Sequence, residues 1–230
     1  MPGIFNSAGS VEETVTVLEI SQYTFSSGSS ACTPIACFAV ASILERLDMN
    51  CCCNDSSFLT DAIVSGVASY TSLGDSGAAL HLSVDEFYNI SKEMSTKIIK
   101  VGEPIQGLLT NRNAFLELIN AAREMASESI TGTAKNIGIV ITKPPETVCI
   151  TIPPIESSHD RSTYTFFDSH SRPEYGLNGS YIVTSSDIDA LILRLNTIFP
   201  ANENDGLDDL DGSYMQMLYS TFEGTVFQRV

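Results

Sequence analysis

The sequence predicts an α+β fold, with a mainly helical N-terminal half followed by an antiparallel β-sheet. Apolar residues recur with helical spacing over much of 32–125, and they follow the two-residue period of β-strands from 137 to 183. Helices and strands that are segregated along the chain are typical of α+β proteins, in which an antiparallel sheet packs against helices. Apolar residues make up 43% of the 230 residues, which is enough for a hydrophobic core.

The most pronounced predicted helix begins near Cys32 and ends by Asn50. Ser29 or Ser30 is expected to cap its N-terminus, and Pro34 suits a first turn, where its missing N–H costs nothing. The apolar residues with helical spacing form its expected buried face: Ile35, Ala36, Ala39, Val40, Ile43, Leu44 and Leu47.

The other elements follow from the same periodicities. Further helices are predicted over 57–70, 84–90 and 113–125 and from Asp187 onward; strands are predicted over 14–20, 137–141, 148–152, 164–167 and 181–183. Residues 1–13 are a loose lead-in, residues 14–200 form the predicted domain, and residues 201–230 form an acidic C-terminal extension. Its acidic residues are Glu203, Asp205, Asp208, Asp209 and Asp211.

Charge and composition exclude several function classes. The net charge of −16 argues against nucleic acid as a partner, because phosphate binding needs clustered Lys and Arg. No apolar run reaches the roughly 20 residues that a membrane-spanning helix requires. Residues 1–15 lack the basic and apolar regions of an ordinary secretory signal. Six cysteines, three of them consecutive, favour a reducing compartment such as the cytoplasm or nucleus over a disulfide framework.

Cys32 is the strongest candidate nucleophile. It lies where a serine-rich loop enters an apolar helix. The positive end of the helix dipole favours the thiolate, and the first backbone N–H groups of the helix can hold an oxyanion. A small buried residue in a first helical turn would have the same position, so position alone leaves both interpretations open. Cys37, one turn deeper, is expected to be structural.

His170 is the candidate base for this thiol. It follows the predicted strand 164–167, and Asp168 precedes it by two residues. In extended chain, residues i and i+2 point to the same side, so the carboxylate of Asp168 can orient the imidazole. His81 and His159 are weaker candidates, since one suits a core position and the other a polar turn.

Gln22 lies ten residues before Cys32, at the end of the first strand-like run, and a side-chain amide there could donate to an oxyanion. Taken without any family, it is an unremarkable glutamine. No cofactor or metal is predicted. The sequence has no phosphate-binding or dinucleotide-binding glycine motif, and Cys51-Cys52-Cys53 lacks the paired spacing of a zinc site.

Taken together, these residues resemble those of a papain-like cysteine peptidase, in which a glutamine precedes a cysteine at the head of a helix and a histidine follows on a distant strand. The runs Ser29-Ser30-Ala31-Cys32-Thr33-Pro34 and Asp168-Ser169-His170-Ser171-Arg172 are similar to those of the deubiquitinating peptidases of the herpesvirus large tegument protein and their tegument-like relatives. The resemblance covers roughly 14–199, except for 50–130. The papain motif C-G-S-C-W is absent.

This resemblance implies a papain-like fold, with the nucleophile helix packed on the antiparallel sheet. It also implies a thiol-dependent deubiquitinase in which Cys32 attacks, His170 is the base, Asp168 orients it and Gln22 binds the oxyanion. The implied partner is ubiquitin or a ubiquitin-like protein. Three alternatives remain: a peptidase or amidase of the same fold with another substrate, a degenerate ubiquitin-binding module, and an acidic scaffold with accidental motifs.

Overall fold

A computed structural model describes residues 13–51, 53, 56–73, 82–127, 135–154, 163–200 and 220–230. The helices of these residues are α1 (Cys32–Asp48), α2 (Ser57–Leu73), α3 (Val84–Ile90), α4 (Lys92–Lys97), α5 (Ala114–Ser127) and α6 (Ile188–Ile198). The strands are β1 (Glu13–Val17), β2 (Ile98–Lys100), β3 (Ile105–Leu108), β4 (Ile137–Lys143), β5 (Glu146–Ile152), β6 (Tyr164–Asp168), β7 (Tyr181–Ser185) and β8 (Thr221–Arg229). The predicted mixture of helices and antiparallel strands is confirmed.

One antiparallel sheet contains all eight described strands, in the order β1-β7-β6-β5-β4-β8-β2, and β3 also pairs with β8. The longest ladder is the β4–β5 hairpin, in which Ile137 pairs with Ile152 and Lys143 pairs with Glu146. The β5–β6 ladder is much shorter and extends only from Thr151 to Cys149. Beyond Cys149 the two strands are no longer paired, and the sheet opens at this end.

Helices cover both faces of the sheet. Because successive side chains of a strand point to opposite faces, neighbouring residues of one strand belong to different cores. Val140 and Phe167 pack with α1, α2 and α3 on one face. Ile139 and Phe166 pack with α5 and α6 on the other. Because the central strands are buried on both faces, their sequences are nearly continuous apolar runs.

Helix α1 lies between the sheet and α2, and its first ten residues are all buried. Close packing against α2 depends on Gly66, since a Cβ there would lie 2.6 Å from the Cα of Ile35. The expected cap by Ser29 or Ser30 is wrong, because both serines belong to a short 3-10 helix, and Ala31 precedes α1 without a side-chain cap. The first N–H groups of α1 therefore have no capping side chain.

The C-terminal residues require a correction to the predicted domain boundary. Residues 221–229 form β8, which pairs with β4 on one side and with β2 and β3 on the other. They therefore belong to the sheet and not to an extension that begins at residue 201. Helix α4 and strands β2 and β3 were not predicted. Residues 1–12 of the predicted lead-in and 201–219 of the acidic segment lie outside the described residues. In the described part of the chain, no helix has both the length and the apolar character needed to cross a membrane.

Candidate active site

The sequence-predicted site residues come together at the open end of the sheet. Strands β1 and β6 both pair antiparallel with β7, so they run in the same direction and end at the same edge. The loop after β1 carries Gln22, and the chain leaving β6 carries Asp168 and His170. Helix α1 packs against β5 and β6 with its first residue, Cys32, at this edge.

Cys32 is almost completely buried, with only 4% of its surface exposed. Its Sγ lies 3.8 Å from the carbonyl oxygen of Pro145, in the turn between β4 and β5. Burial acts to raise the pKa of Cys32, but a hydrogen bond and the charge of His170 lower it, as do hydrogen bonds from the side chain and backbone of Thr147. The net pKa is below the ordinary value for a thiol, so the surroundings favour the thiolate.

His170 lies beside both Asp168 and Cys32. Its Nδ1 lies 2.5 Å from Oδ1 of Asp168. Burial acts to lower the pKa of His170, but its interactions with the Asp168 carboxylate and the Cys32 thiol raise it to about 10. Because Nδ1 faces the carboxylate, Nε2 is the nitrogen left to face the sulfur. The arrangement favours an imidazolium beside a thiolate.

Asp168 is fully buried, and its carboxylate accepts several hydrogen bonds. Its Oδ1 also accepts the backbone N–H of His170 at 2.9 Å, while Oδ2 accepts Nε of Arg172 at 2.9 Å and the hydroxyl of Tyr181 at 3.4 Å. Burial acts to raise the pKa of Asp168, but hydrogen bonds and the charges of His170 and Arg172 lower it. The carboxylate is thus ionised and fixed in orientation.

The proximity of Asp168 and His170 has a different origin from the one expected. Strand β6 ends at Asp168, and the chain then turns, with the side chain of Asp168 accepting the backbone N–H two residues on. This is an Asx-type turn, a common conformation for aspartate. The two side chains therefore meet across a turn and not along one side of an extended strand.

Gln22 is buried beside this turn. Its backbone N–H donates to the carbonyl of Ser169 at 3.1 Å, and its Oε1 accepts the hydroxyl of Ser169 at 2.9 Å. Its Nε2 lies 3.5 Å from the carbonyl of Ser29, a long contact in the loop that leads into Cys32. With its oxygen held by Ser169, the amide presents its N–H₂ donors on the side of the α1 N-terminus.

We compared the sequence with known proteins. No family model matches the chain, and the curated proteins give no significant match.

Four residues at the site were not predicted: Tyr23, Glu146, Thr147 and Arg172. Tyr23 is 55% exposed, and its ring lies 5.9 Å from the imidazole of His170 between centroids, tilted by 57°. Arg172 binds the carboxylate of Glu146 through both terminal nitrogens, at 3.0 and 2.6 Å. Tyr23 and Arg172 each had a local signal, since Tyr23 follows Gln22 and Arg172 ends the run that begins at Asp168. Glu146 and Thr147 reach the site through pairings that depend on the fold.

The other described cysteines differ from Cys32. Burial raises the pKa of both Cys37 and Cys149, which disfavours the thiolate, and Cys37 is buried in the core as expected. Cys53 is buried, whereas Cys51 is exposed. His81, His159 and Cys52 lie outside the described residues. Within the described residues, no cluster of three or more His, Cys, Asp or Glu side chains is arranged to hold a metal ion.

Proposed function

We propose that this protein is a thiol-dependent deubiquitinase of papain-like fold, which hydrolyses peptide or isopeptide bonds at the C-terminus of ubiquitin or a ubiquitin-like protein. The observation that carries this proposal is the position of His170: its Nδ1 lies 2.5 Å from Oδ1 of Asp168, and its charge lowers the pKa of the neighbouring Cys32 thiol. This is the arrangement that nucleophilic catalysis by cysteine requires.

The first half of the reaction forms a thioester. The thiolate of Cys32 attacks the carbonyl carbon, and the C=O electron pair moves to the oxygen. In this mechanism Nε2 of Gln22 and the backbone N–H of Cys32 donate to the oxyanion. When the C–N bond breaks, the imidazolium of His170 gives its proton to the leaving amine. Asp168 keeps Nδ1 protonated and the ring oriented throughout.

The second half releases the acyl group. A water molecule attacks the thioester carbonyl while neutral His170 accepts one of its protons. The C–S bond then breaks, which regenerates the thiolate–imidazolium pair and yields a carboxylic acid that loses its remaining proton to solvent. The same oxyanion donors serve both halves of the reaction, because both pass through a tetrahedral intermediate at one carbonyl carbon.

Two further observations support ubiquitin as the substrate. The residues around Cys32 and His170 resemble those of the tegument-type deubiquitinases, whose substrate this is. The net charge of −16 also complements the basic face that the resemblance implies for ubiquitin. Cys32, Cys37, Cys51 and Cys149 form no disulfide, which suits a thiol enzyme in a reducing compartment such as the cytoplasm or nucleus.

The test is hydrolysis of a fluorogenic amide attached to the C-terminus of ubiquitin. Wild-type protein should release the fluorophore, whereas Cys32→Ala should not and Cys37→Ala should retain activity if it folds. A short peptide with the same final residues should react far more slowly, since it lacks the surface of the folded substrate. Turnover of the peptide without turnover of the ubiquitin substrate would instead indicate a peptidase or amidase with another substrate.

A further inference from the structure

Arg172 joins two parts of the site that the sheet does not hold together. Its Nε donates to Asp168 at the end of β6, and its terminal nitrogens donate to Glu146 at the start of β5. The backbone ladder between β5 and β6 ends at Cys149 and Phe167, before either carboxylate is reached. The guanidinium therefore bridges the gap where the sheet opens.

The gap contains the thiol of Cys32. On the β5 side, Sγ of Cys32 lies 3.8 Å from the carbonyl oxygen of Pro145, the residue before Glu146, and Thr147, the residue after it, lowers the pKa of the thiol. On the β6 side lies His170, which Asp168 orients and whose charge lowers the same pKa. Each carboxylate that Arg172 binds is thus next in sequence, or hydrogen-bonded, to a group that acts on the thiol.

The side chain of Arg172 is itself well fixed. Its backbone N–H and carbonyl form a pair of hydrogen bonds with Leu177, at 2.6 and 3.0 Å, which close a short loop. The side chain is largely buried, and the ion pairs with Asp168 and Glu146 are correspondingly shielded from water. A planar guanidinium is the one side chain that can bind one carboxylate through two nitrogens and a second carboxylate through its third.

From this geometry we infer that Arg172 and Glu146 are positioning residues for the reaction: their ion pair fixes the β4–β5 turn relative to the Asp168–His170 pair and so holds Cys32 between Thr147 and the imidazole. The inference rests on the proposed function, because it assigns a role within that reaction. It predicts that the pair affects the chemical step and the reactivity of the thiol, and not only the stability of the fold.

The experiment is a double-mutant cycle with Arg172→Met and Glu146→Gln, measured by steady-state hydrolysis of the ubiquitin amide. Arg172→Met should lower kcat about 10-fold to 100-fold with little change in KM, as expected for a misplaced reacting group. Glu146→Gln should lower kcat less, and it should have little further effect when Arg172 is already replaced, because the pair acts as a unit. Arg172→Lys should recover only part of the loss, since an ammonium cannot span both carboxylates in this geometry.

The rate of alkylation of Cys32 by iodoacetamide as a function of pH supplies a second readout that needs no ubiquitin. In wild-type protein the reactive thiolate should persist to a pH below the ordinary pKa of a thiol. Arg172→Met should shift the pH at which the alkylation rate falls to a higher value. If Cys32 of the wild-type protein is alkylated in this way but the protein does not hydrolyse ubiquitin substrates, the proposed substrate is wrong. The alkylation profiles still test the role of Arg172.

The ion pair between Arg194 and Glu13 is a matched control, because it is comparably buried and its N–O distance is 3.1 Å. Arg194→Met should lower the melting temperature without moving the alkylation profile. The inference is overturned if Arg172→Met changes kcat and the profile no more than Arg194→Met does, or if the effects of Arg172→Met and Glu146→Gln are additive. Should Arg172→Met not fold, an unchanged kcat and profile in Glu146→Gln would overturn it equally.

Discussion

Nδ1 of His170 lies 2.5 Å from Oδ1 of Asp168, and the same carboxylate oxygen accepts the backbone N–H of His170 at 2.9 Å. One oxygen thus fixes both the main chain and the ring of the histidine. Because the carboxylate is fully buried, water does not compete for it. The tautomer and the orientation of the imidazole are set by this contact.

Asp168→Asn should therefore lower kcat/KM by about 10²-fold to 10⁴-fold, because an amide can favour the wrong tautomer and cannot stabilise the imidazolium. The measurement is steady-state hydrolysis, with circular dichroism to verify folding. Asp85→Asn is the matched control, since Asp85 forms an ion pair with Lys100 away from the site and should leave activity unchanged. Equal activity of Asp168→Asn and wild type would contradict the assigned role.

The pH dependence follows from the two shifted pKa values. The lowered pKa of Cys32 means that the thiolate is lost only as the pH falls through a value below that of an ordinary thiol. The raised pKa of His170 means that the imidazolium is lost only as the pH rises through about 10. The reactive pair is populated between these limits, so kcat/KM should follow a broad bell that declines near pH 10.

His170→Ala tests the same account, because it removes the group that lowers the pKa of Cys32 and leaves the burial that raises it. The thiolate should then be scarce at neutral pH, and alkylation of Cys32 should become much slower there. A wild-type profile with a single rise near the ordinary thiol pKa, unchanged in His170→Ala, would be incompatible with a thiolate–imidazolium pair.

Gln22→Ala should lower kcat by about 10²-fold to 10³-fold with little change in KM, since an oxyanion donor acts on the transition state. Ser169→Ala removes only the hydroxyl that holds Oε1 of Gln22, so its effect should be smaller and in the same direction. Steady-state kinetics of the two variants would separate them. A larger loss in Ser169→Ala than in Gln22→Ala would argue against Gln22 as the donor.

Gly28 keeps the loop before α1 close to Gln22. A Cβ at residue 28 would lie 1.9 Å from the carbonyl oxygen of Gln22, a backbone atom that cannot move alone. Gly28→Ala should therefore displace the loop and lower kcat. Gly102→Ala serves as a comparison, since its positive φ of 66° also disfavours alanine, but it lies between β2 and β3, where a Cβ would meet only the end of the Met125 side chain. Crystal structures or kinetics of both variants would show whether only Gly28→Ala alters the site.

Much of the fold could be predicted because periodicity reports burial. The helical spacing of residues 32–47 predicted α1 within two residues of its C-terminal end. The expected two-residue period located β4 to β7, although burial does not alternate in β4 and β5, which are covered on both faces. Strand β8 was missed because it follows a long acidic segment, and its pairing with β4 joins residues far apart in the sequence. The short α4, β2 and β3 offered too few residues for a period to be recognised.

The candidate site was predictable where chemistry depends on residue type. A cysteine at a helix start and an aspartate two residues before a histidine are visible in the sequence, and the structure brings Cys32, Asp168, His170 and Gln22 to one edge of the sheet. The contacts of Thr147 and Arg172 were not predictable, since they follow from how β5 and β6 separate. Arg172 and Glu146 are 26 residues apart, and nothing local to either indicates their pairing.

The most direct test is covalent labelling with a ubiquitin whose C-terminus carries an electrophile in place of the scissile bond, followed by peptide mapping. The account predicts one adduct, on Cys32, that is absent in Cys32→Ala and greatly slowed in His170→Ala. Cys37 and Cys149 should stay unlabelled, because they are buried and their pKa values are raised. An adduct on either of these cysteines or on the exposed Cys51, or no adduct on folded wild-type protein, would contradict the proposed function.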